Sequence, residues 1–455
     1  MANSVEASGE PQQSSLKRVI GRRMLLLFVL GDILGSGIYV LVGKVGGHVG
    51  GMLWLPFLLA FILAVLTAAA YAELAGKYPQ AAGAALYVNK AFGIPFVTFI
   101  VAFGVMMSGV TSAGVAAQAF GGRYLAEFVS LPVIAGALTF LALVTLVNFV
   151  GISESVKVNV TLTVIEASGL LVIVAIGIYA LLTGEGEPGR ALEFNPREGA
   201  FLGLLQGTAL AFYALLGFED SVNLAEEARD PARDFPYALF GGVMVAVLIY
   251  MAVAFTATML VDTETLTKSS GPLLEVVKVA GLAFPPKLFA LIALFAVANT
   301  ALMNMIMASR LVYGMARQRV VPSLFGTVHS TRGTPWVAIL FTTAIAAVLV
   351  ATGDISGLAE TTVLLLLCVF ALVNISVLVL RRDRVDRKHF RAPTWMPVLG
   401  AVVCVILALP ITGRDTAVYM RVGILIAIGV VVWSINRLYV GKVKELDPTA
   451  IISGN

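Results

Sequence analysis

Two stretches of this chain put polar chemistry where an apolar helix ought to run. Residues 31–39 read GDILGSGIY, with three glycines around Ser36, and residues 212–220 read FYALLGFED, where Gly217 precedes Glu219 and Asp220. Each glycine weakens a helix by about 1 kcal/mol relative to alanine. A helix opened at such a point frees amide N–H groups on one side and carbonyls on the other. The N–H groups stand at the positive end of a helix dipole and take an anion, and the carbonyls take a cation. A zwitterion needs both. A third residue out of place is Glu166, a carboxylate inside an apolar run. Such a group is costly in lipid and marks a functional position by default.

The elements that must hold these residues follow from composition. Of 455 residues, 59% are apolar and 13% charged, against about 45–50% and about 25% in soluble domains. A hydrocarbon layer roughly 30 Å thick is crossed by about 20 apolar residues in a helix. Twelve runs meet that length: 24–46, 52–76, 93–119, 130–150, 158–183, 200–222, 237–261, 286–316, 335–352, 357–380, 395–413 and 416–437. They are too long for barrel strands, and backbone cannot stay unpaired in lipid. The expected fold class is therefore an all-α polytopic membrane protein with 12 transmembrane helices. Residues 1–16, poor in large apolar side chains, read as a disordered tail, and 438–455 as a second tail. With the N-terminus inside, 21 Lys and Arg flank the inner side and nine the outer, which places both termini in the cytoplasm. The net charge of +4 is accounted for by this anchoring to the inner leaflet and carries no nucleic-acid message.

Other chemistries find little support. Cys368 and Cys404 both fall in apolar spans, where each is expected to be a small buried hydrophobe. Three scattered histidines offer no metal-ligand spacing, and no nucleophile–base pair stands out, so neither an enzyme nor a metal or cofactor is expected. GIYVLVGK at 37–44 imitates a phosphate loop but has one residue too many, and Val45 stands where Ser or Thr belongs. Interrupted helices at matching places in two halves of a membrane chain point instead to a solute site near the midplane.

The same residues carry a resemblance to the amino acid–polyamine–organocation (APC) transporters, in particular to bacterial permeases of the cationic-amino-acid-transporter type. GDILGSGIY resembles that family's first-helix substrate motif, and FYALLGFED with AEEARDP at 225–231 its sixth-helix signature. Tyr71 to Leu74 with Lys77, Tyr78, Pro79 and Gly83 resembles a further stretch, as do 308–317 and 373–382. The resemblance implies a LeuT-like five-plus-five inverted repeat with broken helices 1 and 6. Residues 17–183 and 200–380 would form the repeats, and 395–437 an appended pair. It also implies a substrate pocket that includes Gly35 and Ile38, in which the N–H groups of Ser36 and Gly37 and the Ser36 hydroxyl receive a carboxylate. The carbonyls of Ile33, Tyr213 and Leu216, beside Gly217, would hold an ammonium. Tyr213, with Phe212 beside it, would close over the substrate. Ser108, Ser112 and Asn304 face either the substrate side chain or neighbouring helices.

Glu166 departs from the family, many of whose members carry a lysine at the corresponding place. Burial brings a carboxylate into a range where it takes and releases protons, so Glu166 is a proton carrier, a Na⁺ ligand or a silent partner of a cation such as Arg310. Glu73, Glu226 and Glu227, near Lys77 and Arg229, suggest an inner gate of ion pairs, with Glu219 linking pocket to gate. The expected function is secondary amino acid transport at the plasma membrane by alternating access, with H⁺ as coupling ion and Na⁺ as the alternative. An exchanger, a polyamine carrier and a non-transporting amino acid sensor stay open beside it. The expected partners are an amino acid and the lipid bilayer, with no obligatory protein partner.

Overall fold

Helix ends in this molecule fall where the local sequence dictates. The computed structural model describes residues 18–80, 83–151, 156–196, 199–281, 284–385, 387–440 and 448–449, with backbone alone for 156–160 and 440. The expected N-terminal tail and most of the C-terminal one lie outside these residues. Among the described residues sixteen α-helices follow in order: α1 Arg22–Ile33, α2 Ser36–Val49, α3 Trp54–Lys77, α4 Gly83–Phe92, α5 Pro95–Ala119, α6 Val133–Val150, α7 Val156–Thr183 and α8 Ala200–Ala214. Then come α9 Pro231–Leu260, α10 Thr263–Lys268, α11 Pro272–Val279, α12 Pro286–Arg317, α13 Trp336–Thr352, α14 Ile355–Leu380, α15 Trp395–Ala408 and α16 Thr416–Val440. Proline opens α5, α9 and α12, where its missing N–H costs nothing. Asp354 caps α14 by accepting from Ser356 N and Gly357 N. Gly151, with φ of 81°, ends α6.

Among the described residues there is no strand, and eight helices are long and apolar enough to cross a membrane. The count is nine when the bent pair α1 and α2 is one span, and α8, α13 and α15 are shorter apolar helices. Large apolar side chains such as Leu182, Phe201, Val348 and Ile424 stand exposed around the bundle, as a lipid-facing surface requires. Inside, small residues let backbones close up. A Cβ on Gly43 would lie 2.0 Å from the Leu266 carbonyl oxygen, and one on Gly177 would lie 2.1 Å from Thr256 Oγ1.

Three expectations change. The run at 200–222 is α-helical only to Ala214; a turn and a short 3-10 segment, Asp220–Leu224, replace its last stretch. The run at 395–413 is α-helical to Ala408 and ends in a 3-10 turn. Cys404 is buried as expected, but Cys368 faces outward from α14.

Candidate functional site

The first break lies at Leu34 and Gly35, where α1 and α2 meet at a bend of 44°. Gly35, with ψ of −160°, leaves the helical path, and Ser36 starts a new helix whose first N–H groups have no acceptor within it. Neighbouring helices secure both ends. Tyr250 on α9 donates its hydroxyl to the Ile33 carbonyl at 2.6 Å. On α12, Thr300 Oγ1 accepts from Ser36 N at 3.0 Å and donates to the Ala296 carbonyl at 3.1 Å. Gly37 is where the two broken helices touch, since a Cβ there would stand 2.6 Å from Ala214 Cα.

The second break follows Ala214. Leu215 N donates to the Phe212 carbonyl and Leu216 N to that of Tyr213, at 3.0 and 3.2 Å. Gly217 then takes a φ of 117°, a conformation that side-chain-bearing residues rarely adopt. Its N–H donates to Glu219 Oε2 at 2.9 Å, and its carbonyl accepts from Asp220 N at 3.0 Å.

Both breaks open on one cavity of about 80 Å³, several times the roughly 10–15 Å³ that one water needs. Ile33, Gly35, Ser36, Gly37, Tyr213, Leu216, Gly217, Ser108, Ser112, Asn304 and Glu219 all line it. Ile38 and Phe212 do not. Each is one residue from a lining position and so turned by about 100° around its helix. Phe212 packs against Phe370 instead, with ring centroids 6.1 Å apart. Tyr213 bonds its hydroxyl to Ser112 Oγ at 2.9 Å. Ser108 and Asn304 spend donors on their own helices, bonding the carbonyls of Val105 and Thr300. The Ser36 hydroxyl, 1% exposed for the residue, makes no hydrogen bond.

Several lining residues had escaped the sequence reading: Asp32, Asp220, Asn299, Thr300 and Thr362. Asn299, Thr300, Met303, Asn304 and Met307 share one face of α12 at spacings of three to four. The signal available was the pair of polar residues in mid-helix, four and five residues before Asn304. Three carboxylates line the cavity and, among the described residues, no Lys, Arg or His does.

The pattern of the Amino acid permease family matches residues 20–436. The chain belongs to that family, within the APC superfamily. It is 27% identical to an uncharacterized transporter of Mycobacterium tuberculosis, over 95% of this chain and 94% of that one. It is similar also to a branched-chain amino acid permease of Bacillus subtilis, 26% identical over 91% and 92% of the two chains. The chloroplastic cationic amino acid transporter 9 of Arabidopsis thaliana is 28% identical over 70% of this chain and 58% of that one. The family and its transporter relatives identify the chain as a multi-pass membrane transporter.

In this permease Glu166 lies fully buried on α7, behind the first break. Its Oε1 accepts from Asn299 Nδ2 at 3.0 Å, its Oε2 has no partner, and its main-chain carbonyl accepts from Tyr39 Oη at 2.5 Å. Glu166 does not line the cavity, but Asn299 does, and so connects the two. Among the described residues Glu166 makes no ion pair, with Arg310 or any other cation.

The expected inner charges sort differently from the sequence reading. Glu73, 2% exposed, takes a two-pronged pair from Arg381, at 2.9 and 2.7 Å, and a bond from Ala392 N. Lys77 does not join it; its ammonium donates to the carbonyls of Leu380 and Asp383. Glu227 contributes its carbonyl, which accepts from Ile20 N at 3.0 Å, while Arg229 N donates to the Ile20 carbonyl. Glu226 lies half-buried in the same segment. Arg22 pairs with Asp234 at 3.2 Å and stacks over Tyr237.

Proposed function

We propose that the chain carries a small L-amino acid across a bilayer by alternating access, coupled to protons. The observation that carries this reading is the single cavity shared by the two helix breaks, with the amide end at Ser36 and Gly37 facing the turn that ends at Leu216 and Gly217. The substrate carboxylate would lie on the amides of residues 36 and 37 and on the Ser36 hydroxyl, which makes no hydrogen bond of its own. The Leu216 carbonyl, which accepts from no main-chain N–H among the described residues, would lead in holding the ammonium. The carbonyls of Ile33 and Tyr213 already accept one bond each and would share a second lone pair.

The lining favours a neutral or basic amino acid over an acidic one, because among the described residues it offers a side-chain carboxylate no cationic partner. Relatives named for cationic and for branched-chain amino acids agree with that range. The proposed architecture is twelve spans in a LeuT-like repeat with cytoplasmic termini. Eight long helices, the bent pair and three shorter apolar helices support that number.

Glu166 is the proposed proton carrier. A neutral amide as its one side-chain partner among the described residues suits a group that changes charge during a cycle better than a fixed cation would. The test uses purified protein in proteoliposomes with labelled amino acids. Wild-type uptake should rise with an inward proton gradient and ignore replacement of sodium. In Glu166→Gln, gradient-driven uptake should collapse while substrate exchange persists. Uptake by Glu166→Gln that still follows the imposed gradient in full would refute the proton role. Flux no faster than that of empty vesicles for every amino acid would refute transport itself.

A further inference from the structure

We propose that the Thr300 hydroxyl is a built-in stand-in for the substrate carboxylate, holding the first-break amide in the empty site and giving it up when substrate arrives. The inference rests on the amino acid reading above and deepens it. Ser36 N is one of the first N–H groups of α2, for which the helix offers no acceptor. It is also an amide that a bound carboxylate requires. In the structure that N–H donates to Thr300 Oγ1 at 3.0 Å. The hydroxyl proton goes the other way, to the Ala296 carbonyl at 3.1 Å. The hydroxyl is thereby fully oriented, with its lone pairs aimed at the amide.

The local sequence is built around this contact. A Cβ on Gly35 would lie 2.8 Å from Thr300 Oγ1, so a side chain there would turn that hydroxyl off the amide. The adjacent hydroxyl, that of Ser36, is buried with no partner in the same cavity. One group at the break is thus satisfied by the protein and one is left for a ligand. A carboxylate seated on the break takes over the amide, and Thr300 turns away. Threonine in a helix has two accessible χ1 wells, because its oxygen can bond either of two preceding carbonyls, so release does not require the helix to move. When substrate leaves, the hydroxyl closes back on the amide and stabilises the empty carrier for its return.

Removing the stand-in therefore strengthens binding, the opposite of what deleting an ordinary contact does. In Thr300→Val the shape is kept and the competitor is gone, and the empty site holds an unsatisfied N–H that substrate relieves. Dissociation constants should fall by roughly three- to tenfold, the size of one net hydrogen bond. Thr300→Ser keeps the hydroxyl and should bind as the wild type does. The probes are the twenty L-amino acids, screened by thermal shift and titrated for those that bind, together with the amine that lacks the carboxylate of each binder. The amines should show no gain in Thr300→Val. Net uptake should drop relative to exchange in the same variant, because only net uptake needs the empty carrier to return. Should Thr300→Val not fold, Thr300→Ala carries the same expectations. Weaker or unchanged amino acid binding in the folded variant overturns the proposal, as does an equal gain for the amines. Wild-type protein that binds none of the twenty removes the amino acid reading and this inference together, whereas wild-type binding with no gain in Thr300→Val removes this inference alone.

Discussion

At the first helix break, beyond the bond from Leu34 N to the Leu30 carbonyl that ends α1, the bonds that close the chain come from elsewhere. Tyr250 reaches over from α9 to the Ile33 carbonyl, and Thr300 from α12 to the Ser36 amide. At the second break they come from the break itself. Leu215 and Leu216 fold back on Phe212 and Tyr213, and the Glu219 carboxylate accepts from the N–H of Gly217 two residues before it. The difference bears on how each responds. A break held by other helices changes when those helices move, so it reports on the rest of the bundle. A break held by its own residues keeps its shape while its surroundings shift. Glu166 lies on the responsive side, where it accepts from Asn299, the residue next to Thr300. The first break is therefore expected to be the moving part of the site and the second the fixed part.

The largest effect is expected where the two breaks touch. In Gly37→Val a branched side chain must enter a space where even a Cβ would stand 2.6 Å from Ala214 Cα. Overpacking of this kind costs about 1–3 kcal/mol. Forcing the halves apart also displaces both walls of the cavity, and a misplacement of about 1 Å is enough for a loss on the order of 100-fold. Uptake should fall to background while detergent-solubilised protein still elutes as a folded species. Wild-type rates would mean that the two breaks do not form one site.

Much of this contrast was legible in the sequence and part of it was not. Glycines and a serine interrupting an apolar run are a local signal, and residues 31–39 and 212–220 gave both breaks. What holds each break depends on distance along the chain. Glu219 and Gly217 are two residues apart and share a motif, so their partnership lay within reach. Thr300 is 264 positions from Ser36, and Tyr250 is 217 from Ile33. Helical phase was the second obstacle. Phe212 and Ile38 were indistinguishable by type from their lining neighbours until the rotation of each helix was known. The pairing of Glu73 with Arg381 failed for the first reason, since the nearer Lys77 was the natural candidate and the actual partner stands 308 positions away.

The next effect by size tests how fixed the second break is. Gly217→Ala must hold a φ of 117° with a Cβ 2.6 Å from the Asp32 carbonyl oxygen. Strained backbone of this kind costs about 1–3 kcal/mol, so the thermal midpoint should fall and uptake with it. Tyr250→Phe probes the first break in the same way, with a loss of stability of the same order. It removes one buried hydroxyl and leaves the Ile33 carbonyl short of a partner, for about 1–3 kcal/mol. A first break that moves should lose transport rate in Tyr250→Phe out of proportion to stability. Parallel losses in thermal midpoint and uptake, as expected for Gly217→Ala, would make the first break as static as the second.

The smallest effect should come from Glu219→Gln. The bond from Gly217 N needs an acceptor oxygen, and the glutamine amide keeps one in the same place. A neutral acceptor gives a weaker bond than a charged one, by about half, so the change in stability should stay below about 1 kcal/mol and uptake should remain within about threefold of the wild type. Glu219→Ala, which takes the acceptor away, should cost more than Glu219→Gln in both thermal midpoint and rate. That ordering is what a residue clamping its own turn requires. Loss of uptake in Glu219→Gln with stability unchanged would mean that the negative charge of Glu219, which lines the cavity beside Asp220, acts on the substrate directly. The second break would then be part of the recognition chemistry, and its geometry could no longer be treated as a passive frame for the first.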